Sequence, residues 1–478
     1  MSGHVKWGPR LFLLSFVVLI LLGTLLLKIP GMYRPGPLSW LDALFTATSS
    51  VCVTGLTTKP ISEFGFFGQL VVLLLIQVGG LGIMTLTAAI LLALGRGLSF
   101  GESLMISRLN DKFSLRGTDS LMRTVVRYTF YAEGVGFLAL LPGMWLSKIG
   151  IWKGLWGALF MTVSSFCNAG LTPFQESLVG IHRSAQLVCA LLAIAGGLGV
   201  YVIYDLLQAA SWKSQRLREH SNPLLAKIGR LGEYVIKDRL KVVSPESPRL
   251  RVHSKLVLLT TGILLIFGTI AIKLLSTETG LGWFDAFCFS VTSRTCGWNT
   301  APMSQLPVSA TRFIMLLMLI GGSPGGTAGG IKTSTVALAF MGIISVLRGD
   351  SETIVFKRRI PTGIVLRAQA IIILFALLSS LGSTALAEME TDAATRGPQI
   401  EKEVQEKADG TTFEAVSALT TTGLSIHNTT SQLKNKSKAL LILFMYLGRV
   451  GPFAALLFLI GREKHSKLKY PEEQVIIG

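Results

Sequence analysis

Apolar residues along this chain fall into long runs, at 11–27, 69–94, 125–145, 185–208, 255–275, 311–346, 364–387 and 438–460. Each is close to or longer than the roughly 20 residues a helix needs to cross a bilayer. Between the members of each pair lies a shorter apolar segment that ends in polar residues and a glycine. Phe45 leads through Thr48, Ser49 and Ser50 to Val53-Thr54-Gly55-Leu56, and Phe160 leads through Ser164 and Ser165 to Asn168-Ala169-Gly170-Leu171. Phe287 leads to Thr295-Cys296-Gly297-Trp298, and Phe413 leads to Thr421-Thr422-Gly423-Leu424. In all four the Phe stands ten places before the Gly. Four unrelated loops would not share that spacing, so the pattern predicts span, re-entrant segment, span, four times over.

The repeats divide the chain. Residues 1–95, 124–210, 254–347 and 364–461 are expected to be the four units. Linkers at 96–123, 211–253 and 348–363 would join them, with a tail at 462–478. Eight spans put both termini on one side. The first apolar run is long for a signal segment and lacks a small-x-small cleavage site, so it reads as a retained span. The expected fold class is an all-α polytopic membrane protein with its short segments around one central axis.

Composition agrees. Half of the 478 residues are hydrophobic and 15% are charged, with mean hydropathy +0.56, values outside the range of soluble domains. The net charge of +18 could suggest nucleic-acid binding. The basic residues instead crowd the linkers: Arg96, Arg108, Lys112, Arg116, Arg123 and Arg127; the stretch Lys213 to Lys255; and Lys357-Arg358-Arg359 with Arg367. That is the positive-inside pattern, which makes the linkers cytoplasmic. The acidic stretch with Glu388, Glu390, Asp392, Glu401, Glu403, Glu406 and Asp409 is then external, and the short segments enter from outside.

Within the long basic linker, Leu224, Leu225, Ile228, Leu231, Val235 and Ile236 predict a short amphipathic helix. Asn428-Thr429-Thr430 matches a glycosylation sequon, a weak signal. The five cysteines show neither metal-ligand nor disulfide spacing and read as small packing residues. The six histidines all lie in loops or tails, with no paired carboxylates or nucleophile and base at membrane depth. An intramembrane enzyme is therefore disfavoured.

Non-helical backbone at membrane depth is tolerated where it is buried or lines a water-filled cavity. Four glycine-terminated segments meet that condition if they share an axis. Glycine allows a left-handed backbone and can turn carbonyls inward to replace the hydration shell of a monovalent cation. Short helices ending there would add their negative ends. The expected cation ligands are Val53, Thr54, Gly55, Asn168, Ala169, Gly170, Thr295, Cys296, Gly297, Thr421, Thr422 and Gly423. No acidic residue lies among them; Glu414 nearby suits a helix N-terminus.

One helix length further on, each second span carries glycines: Gly79-Gly80-Leu81-Gly82, Gly196-Gly197-Leu198-Gly199, Gly321-Gly322 and Gly448-Arg449-Val450-Gly451. In the first two repeats, close helix packing explains them as well as a break does. The third contains Gly321-Gly322-Ser323-Pro324-Gly325-Gly326-Thr327-Ala328-Gly329-Gly330-Ile331-Lys332, through which no helix runs unbroken. A nucleotide P-loop is ruled out because Ile331 separates Gly330 from Lys332 and no strand precedes. A gate in the conduction path fits better. Arg449 stands where the other repeats have Gly80, Gly197 and Gly322, and an intramembrane Arg usually faces the interior. It is expected to face the pore, repel resting cations and touch the third-repeat loop. A secondary cation symporter with an occluded midplane site is the alternative, disfavoured because all four units enter from one side rather than as inverted repeats.

These residues resemble the Trk/Ktr/HKT superfamily of potassium-translocating subunits over nearly the whole chain. The resemblance rests on Val53-Thr54-Gly55-Leu56, the run Ser293-Arg294-Thr295-Cys296-Gly297-Trp298-Asn299-Thr300, the glycine-rich loop and Gly448-Arg449-Val450-Gly451-Pro452. The ending Tyr470-Pro471-Glu472-Glu473-Gln474-Val475-Ile476-Ile477-Gly478 is similar to the bacterial Ktr-type branch. The resemblance implies potassium uptake across the cell membrane, the inner membrane in bacteria with two. It implies a homodimer with one pore per subunit and a cytosolic nucleotide-binding regulatory ring of the KtrA/TrkA kind. It also implies a sodium influence on flux, no covalent cofactor, and a gate made of the third-repeat loop and Arg449. A Ser at the first filter position, which some relatives use for sodium permeation, is replaced here by Gly55, so potassium is expected.

Overall fold

In the computed structural model, the described residues are 8–82, 118–219, 227, 230, 232–235, 250–350, 352–390, 398–426 and 429–451. They are mainly helical. The helices are α1 (Gly8–Leu27), α2 (Trp40–Val51), α3 (Phe66–Leu81), α4 (Thr118–Leu146), α5 (Ile151–Phe166), α6 (Arg183–Gly197), α7 (Val200–Arg218) and α8 (Val252–Leu275). Then come α9 (Trp283–Thr292), α10 (Val308–Leu319), α11 (Thr333–Leu347), α12 (Thr362–Glu390), α13 (Pro398–Thr420), α14 (Thr429–Gln432) and α15 (Asn435–Val450). One antiparallel hairpin, β1 (Thr353–Val355) and β2 (Arg358–Ile360), qualifies the all-α expectation. It holds the basic run Lys357-Arg358-Arg359.

The short helices form for local reasons. Ser39 caps α2, its hydroxyl accepting from the Asp42 amide at 3.0 Å, and Asp42 adds an acidic first turn. The loop before α2 is clipped to the loop before α3. Gly65 N donates to Met32 O at 2.9 Å, and the Tyr33 hydroxyl donates to Glu63 at 2.5 Å. Burial and that carboxylate push the Tyr33 phenol up to about 12.

The interior is rich in hydroxyls: Thr46, Thr48, Ser49, Ser50, Ser164, Ser165 and Ser417 are all fully buried. The exterior is apolar. Leu14, Val18, Leu21, Leu22 and Leu25 stand exposed on α1, and Leu259, Ile263, Ile266 and Phe267 on α8. An oily exterior over a core that mixes apolar side chains with hydroxyls is what a lipid solvent favours.

A break in the second span was expected of the third repeat, and the structure extends it to the other three. By length and composition alone, two described helices, α8 and α12, are long and apolar enough to cross a membrane, or three spans if the bent pair α6–α7 is taken as one. The second apolar run of each pair breaks at its glycines. α3 stops before Gly82 (φ +73°), and α15 stops before Gly451 (φ +91°). α6 gives way to α7 through Gly199 with a bend of 102°. α10 and α11 are separated by the whole glycine-rich loop. The rest of the first and fourth second spans, at 83–94 and 452–460, lies outside the described residues. So do the basic linker at 96–117, most of the predicted amphipathic helix, Asn428 and the C-terminal tail.

Packing follows a closed order. α1, α2 and α3 touch one another, as do α4, α5 and α6, while α8 and α9 pair, and α12 packs with α13 and α15. Between groups, α3 packs on α5, α6 on α9, α10 on α13 and α15 on α2. At that last junction Lys438 Nζ lies 3.7 Å from Asp42 Oδ1, both largely buried.

Candidate functional site

Each short helix ends in a turn built twice from left-handed backbone. Val53, Asn168, Thr295 and Thr421 have φ between +52° and +70°, and Gly55, Gly170, Gly297 and Gly423 have φ between +70° and +99°. β-Branched residues avoid that region, so Val and Thr there are held against a local preference. The intervening Thr54, Ala169, Cys296 and Thr422 are fully buried. The following Leu56, Leu171, Trp298 and Leu424 are at most 2% exposed and anchor each turn in the core.

The four glycines lie against one another. A Cβ placed on Gly55 would sit 2.7 Å from the Ala169 carbonyl oxygen. One on Gly170 would sit 2.7 Å from that of Cys296, and one on Gly297 would sit 2.4 Å from that of Thr422. On Gly423 it would sit 2.2 Å from that of Thr54. Each glycine therefore faces the carbonyl just before the next repeat's glycine, and the sequence closes on itself. All twelve predicted filter positions lie in these four turns, and glycine is required where they meet.

Three turns share a brace. Thr54 N, Ala169 N and Thr422 N donate to the carbonyls of Ser49, Ser164 and Ser417 at 2.7–2.8 Å. The Ser49 and Ser417 hydroxyls accept from Gly55 N and Gly423 N at 3.1 and 3.0 Å, and the Ser164 hydroxyl donates to Leu171 O at 2.6 Å. The third turn differs. Val291 occupies the Ser position. α9 ends at Thr292, whose carbonyl accepts from both Cys296 N and Gly297 N at 2.9 and 3.2 Å. The equal Phe-to-Gly spacing hides this shift: Phe45, Phe160 and Phe413 are fully buried, but Phe289 rather than Phe287 fills that role in the third unit.

The glycines of the second spans serve close packing as well as breaks. A Cβ on Gly79, Gly196 or Gly448 would fall 2.0, 1.8 or 2.1 Å from the carbonyls of Val51, Phe166 or Leu419. Those carbonyls all sit four residues before a filter glycine. Small residues there let each second span press on the end of its own short helix.

The third-repeat loop is ordered and clasped at its neck. Gly321 N donates to Ile331 O at 2.9 Å, Ile331 N to Leu319 O at 3.0 Å and Thr333 N to Gly322 O at 2.9 Å. Beyond the neck, Ser323-Pro324-Gly325-Gly326-Thr327-Ala328-Gly329-Gly330 runs beside the filter turns. Ser323 N and Thr327 N donate to Gly197 O and Gly196 O at 2.9 and 3.2 Å, using carbonyls freed by the end of α6. The Thr327 hydroxyl donates to Phe166 O at 3.0 Å and accepts from Asn168 Nδ2 at 2.8 Å. Gly329 N donates to Thr295 Oγ1 at 3.1 Å, and a Cβ on Gly329 would collide with Thr421 Oγ1. Lys332 Nζ folds back onto Ala328 O at 2.7 Å.

Arg449 binds across this loop. Its Nη1 donates to Thr327 O at 2.6 Å, and its Nη2 donates to Gly79 O at 2.5 Å and reaches Gly80 O at 3.4 Å. One planar fork thus joins the fourth unit, the third-unit loop and the broken end of α3. The contact expected of Arg449 is present, and the side chain does not turn away toward an edge.

Two site residues carry more than their sequence signal suggested. Arg294 is partly buried behind the third filter turn, with Nη2 reaching Gly321 O at 3.3 Å and Thr261 Oγ1 at 3.5 Å. A charged residue inside an otherwise apolar turn segment was the available clue. Glu414 does not stand at a helix N-terminus, because α13 begins far upstream at Pro398. It is fully buried and accepts from the Thr430 hydroxyl at 2.6 Å and from Ser425, pinning the chain that leaves the fourth filter turn. All five cysteines are buried and free, as expected of packing residues.

The sequence profile described as TrkH, cation transport protein, matches residues 14–467. The chain belongs to the TrkH family of cation transport proteins. Among TrkH-family relatives, Ktr system potassium uptake protein B of Vibrio alginolyticus is 31% identical over 482 residues, covering 98% of this chain and 95% of that protein. Its namesake in Bacillus subtilis (strain 168) is 29% identical, covering 99% and 98%. Potassium/sodium uptake protein NtpJ of Enterococcus hirae is 31% identical, covering 98% and 97%. The crystal structure of the potassium transporter TrkH from Vibrio parahaemolyticus superposes with a TM-score of 0.64 at 17% identity, covering 95% of this chain and 84% of that one. That likeness establishes the fold. TrkH-family membership makes this chain a membrane-embedded ion transporter and not an enzyme.

Proposed function

We propose that the chain takes potassium into the cell through a carbonyl-lined filter at the centre of four pseudo-fourfold units. The observation that carries this reading is the closed cycle in which Gly55, Gly170, Gly297 and Gly423 each face the carbonyl preceding the next. Backbone oxygens gathered there can replace the water around a dehydrated alkali ion. The ends of α2, α5 and α9 add partial negative charge near the same place. The ion is cargo, and the filter residues are its ligands in transit. The relatives named as potassium uptake proteins support potassium, and NtpJ, named for potassium and sodium, supports a sodium influence.

In this reading the loop Gly321–Gly330, with Lys332 and Arg449, is the gate. The loop is stitched to the ends of the second and third filter segments and lies against Thr421 of the fourth, and Arg449 fastens it to the first unit. A guanidinium there also discourages a cation from resting below the filter. The clasped neck confines motion to residues beyond Gly322, so the gate can swing while α10 and α11 stay joined. Two copies form a dimer with one pore each. Both termini and the basic linkers face the cytosol, where a nucleotide-binding regulatory ring docks and biases the loop.

The test is potassium uptake in a transport-deficient cell, with and without sodium and the cytosolic partner. Uptake that depends on the chain and rises with the partner is expected; no uptake in any combination overturns the reading. Shortening Gly325–Gly330 is expected to raise flux without the partner. Lower or unaltered flux shows that the loop is no barrier. Flux strictly proportional to a co-transported ion would favour the symporter instead.

A further inference from the structure

The third filter turn lacks the serine brace of the other three: Thr292 O takes its two amides, and the loop adds a second hold through Arg294 and Thr295. We propose that Arg294 is a positioning residue that fastens the intramembrane loop to the third filter turn, coupling ion occupancy of the filter to the position of the gate. The proposal rests on the reading of filter and gate given above.

Two consecutive residues of that turn grip both sides of the loop. Arg294 Nη2 donates to Gly321 O on the entering side, and Thr295 Oγ1 accepts from Gly329 N on the leaving side. The two sides are in contact there, since a Cβ on Gly321 would fall 1.9 Å from Gly329 O. Gly321 lies just past the end of α10, where carbonyls lack helical partners and a cation is favoured. The same guanidinium reaches Thr261 on α8, so the turn is tied outward as well.

Arg294 has little freedom. Its Nε finds no hydrogen-bond partner among the described residues. The space beside it, lined by Asn168, Gly197, Thr261, Val291 and Gly322, measures about 10 Å³, at the threshold for one water. A hydrogen bond from a desolvated cation is stronger than a neutral one. Thr295 meanwhile holds φ +70°, an arrangement its β-branch opposes. An ion on the neighbouring carbonyls steadies the turn, and the turn holds the loop. Coupling between two sites is reciprocal, so a displaced loop weakens ion binding at Thr295 and Cys296.

The readout is a thiol on the loop. Ser323 is 1% exposed, so Ser323→Cys reacts with a charged methanethiosulfonate only when the loop moves. The full-length protein in liposomes, without a regulatory partner, is labelled from the cytoplasmic side in potassium and in N-methylglucamine. The parent chain, whose five cysteines are buried, sets the background. Labelling is expected to be several-fold slower in potassium. Adding Arg294→Gln is expected to raise both rates and remove the difference, and Arg294→Lys to restore part of it. A potassium effect that survives Arg294→Gln unchanged overturns the proposal. If Arg294→Gln does not fold, Thr261→Val and Arg294→Lys must each shrink the difference, and an unaltered ratio in both overturns it equally. Failure of the gate reading shows elsewhere, as unchanged flux on shortening the loop.

Discussion

At the scale of single residues, the meeting of the four glycine turns depends on the absence of a side chain. Gly423 has φ +87°, and the nearest atom to its missing Cβ is a backbone carbonyl that cannot rotate away. Left-handed backbone costs an L-residue about 1–2 kcal/mol before any collision is counted. Gly423→Ser or Gly297→Ser is therefore expected to deform the turn and lower the potassium-to-sodium uptake ratio; a ratio equal to wild type would count against the filter assignment. Arg449 poses a different problem, since its contacts join three units and, in the proposed reading, hold the loop in place. A hydrogen bond to a charged group contributes about 1.5–3 kcal/mol. Arg449→Gln is expected to raise partner-free flux several-fold, whereas unchanged flux would leave Arg449 without a gating role. The glycines were legible in the sequence through their matched spacing from a Phe, and Arg449 because a charge is rare inside a membrane segment. The left-handed Val53, Thr295 and Thr421 were not, because no residue type marks a β-branched position held in strain by its surroundings.

At the scale of elements, the question left open by the sequence was whether the second-span glycines pack or break. They do both, at different positions of one motif. Gly79, Gly196 and Gly448 press against carbonyls, whereas Gly82, Gly199 and Gly451 carry the positive φ. This division predicts two unlike penalties. Gly196→Ala would drive a methyl to 1.8 Å from Phe166 O, and overpacking of this kind costs about 1–3 kcal/mol or more. Gly82→Ala meets nothing within 4 Å among the described residues, so the backbone cost is what it suffers there. Thermal unfolding in detergent should show a much larger loss for Gly196→Ala; equal losses would show that close approach is not what the glycine provides. Hydropathy marks an apolar run, yet it cannot see that the run continues past a sharp turn. The 102° bend after α6 lies inside one uninterrupted apolar stretch. The register shift of the third short helix was equally hidden, because the Phe-to-Gly count survives when one residue moves from helix to turn.

At the scale of the whole molecule, closure is the property that the chain's order alone does not show. α15 meets α2 across nearly the full sequence, joined by Lys438 and Asp42. Repeats arranged in a line would leave two of those faces bare to lipid, with the polar ends of the short helices unsatisfied. A ring closed within one chain has a consequence for the assembled protein. If each subunit holds a complete pore, a second copy adds conductance and completes nothing. Joining a wild-type chain to one carrying a blocked filter should then leave about half the flux of the wild-type pair, with unaltered ion preference, as expected for two-fold assemblies of self-sufficient subunits. A shared pore between subunits would instead lose nearly all flux, or acquire a mixed selectivity. The linked pair should be compared at equal membrane abundance, with the blocked-blocked pair as zero, so that poor expression cannot imitate the loss.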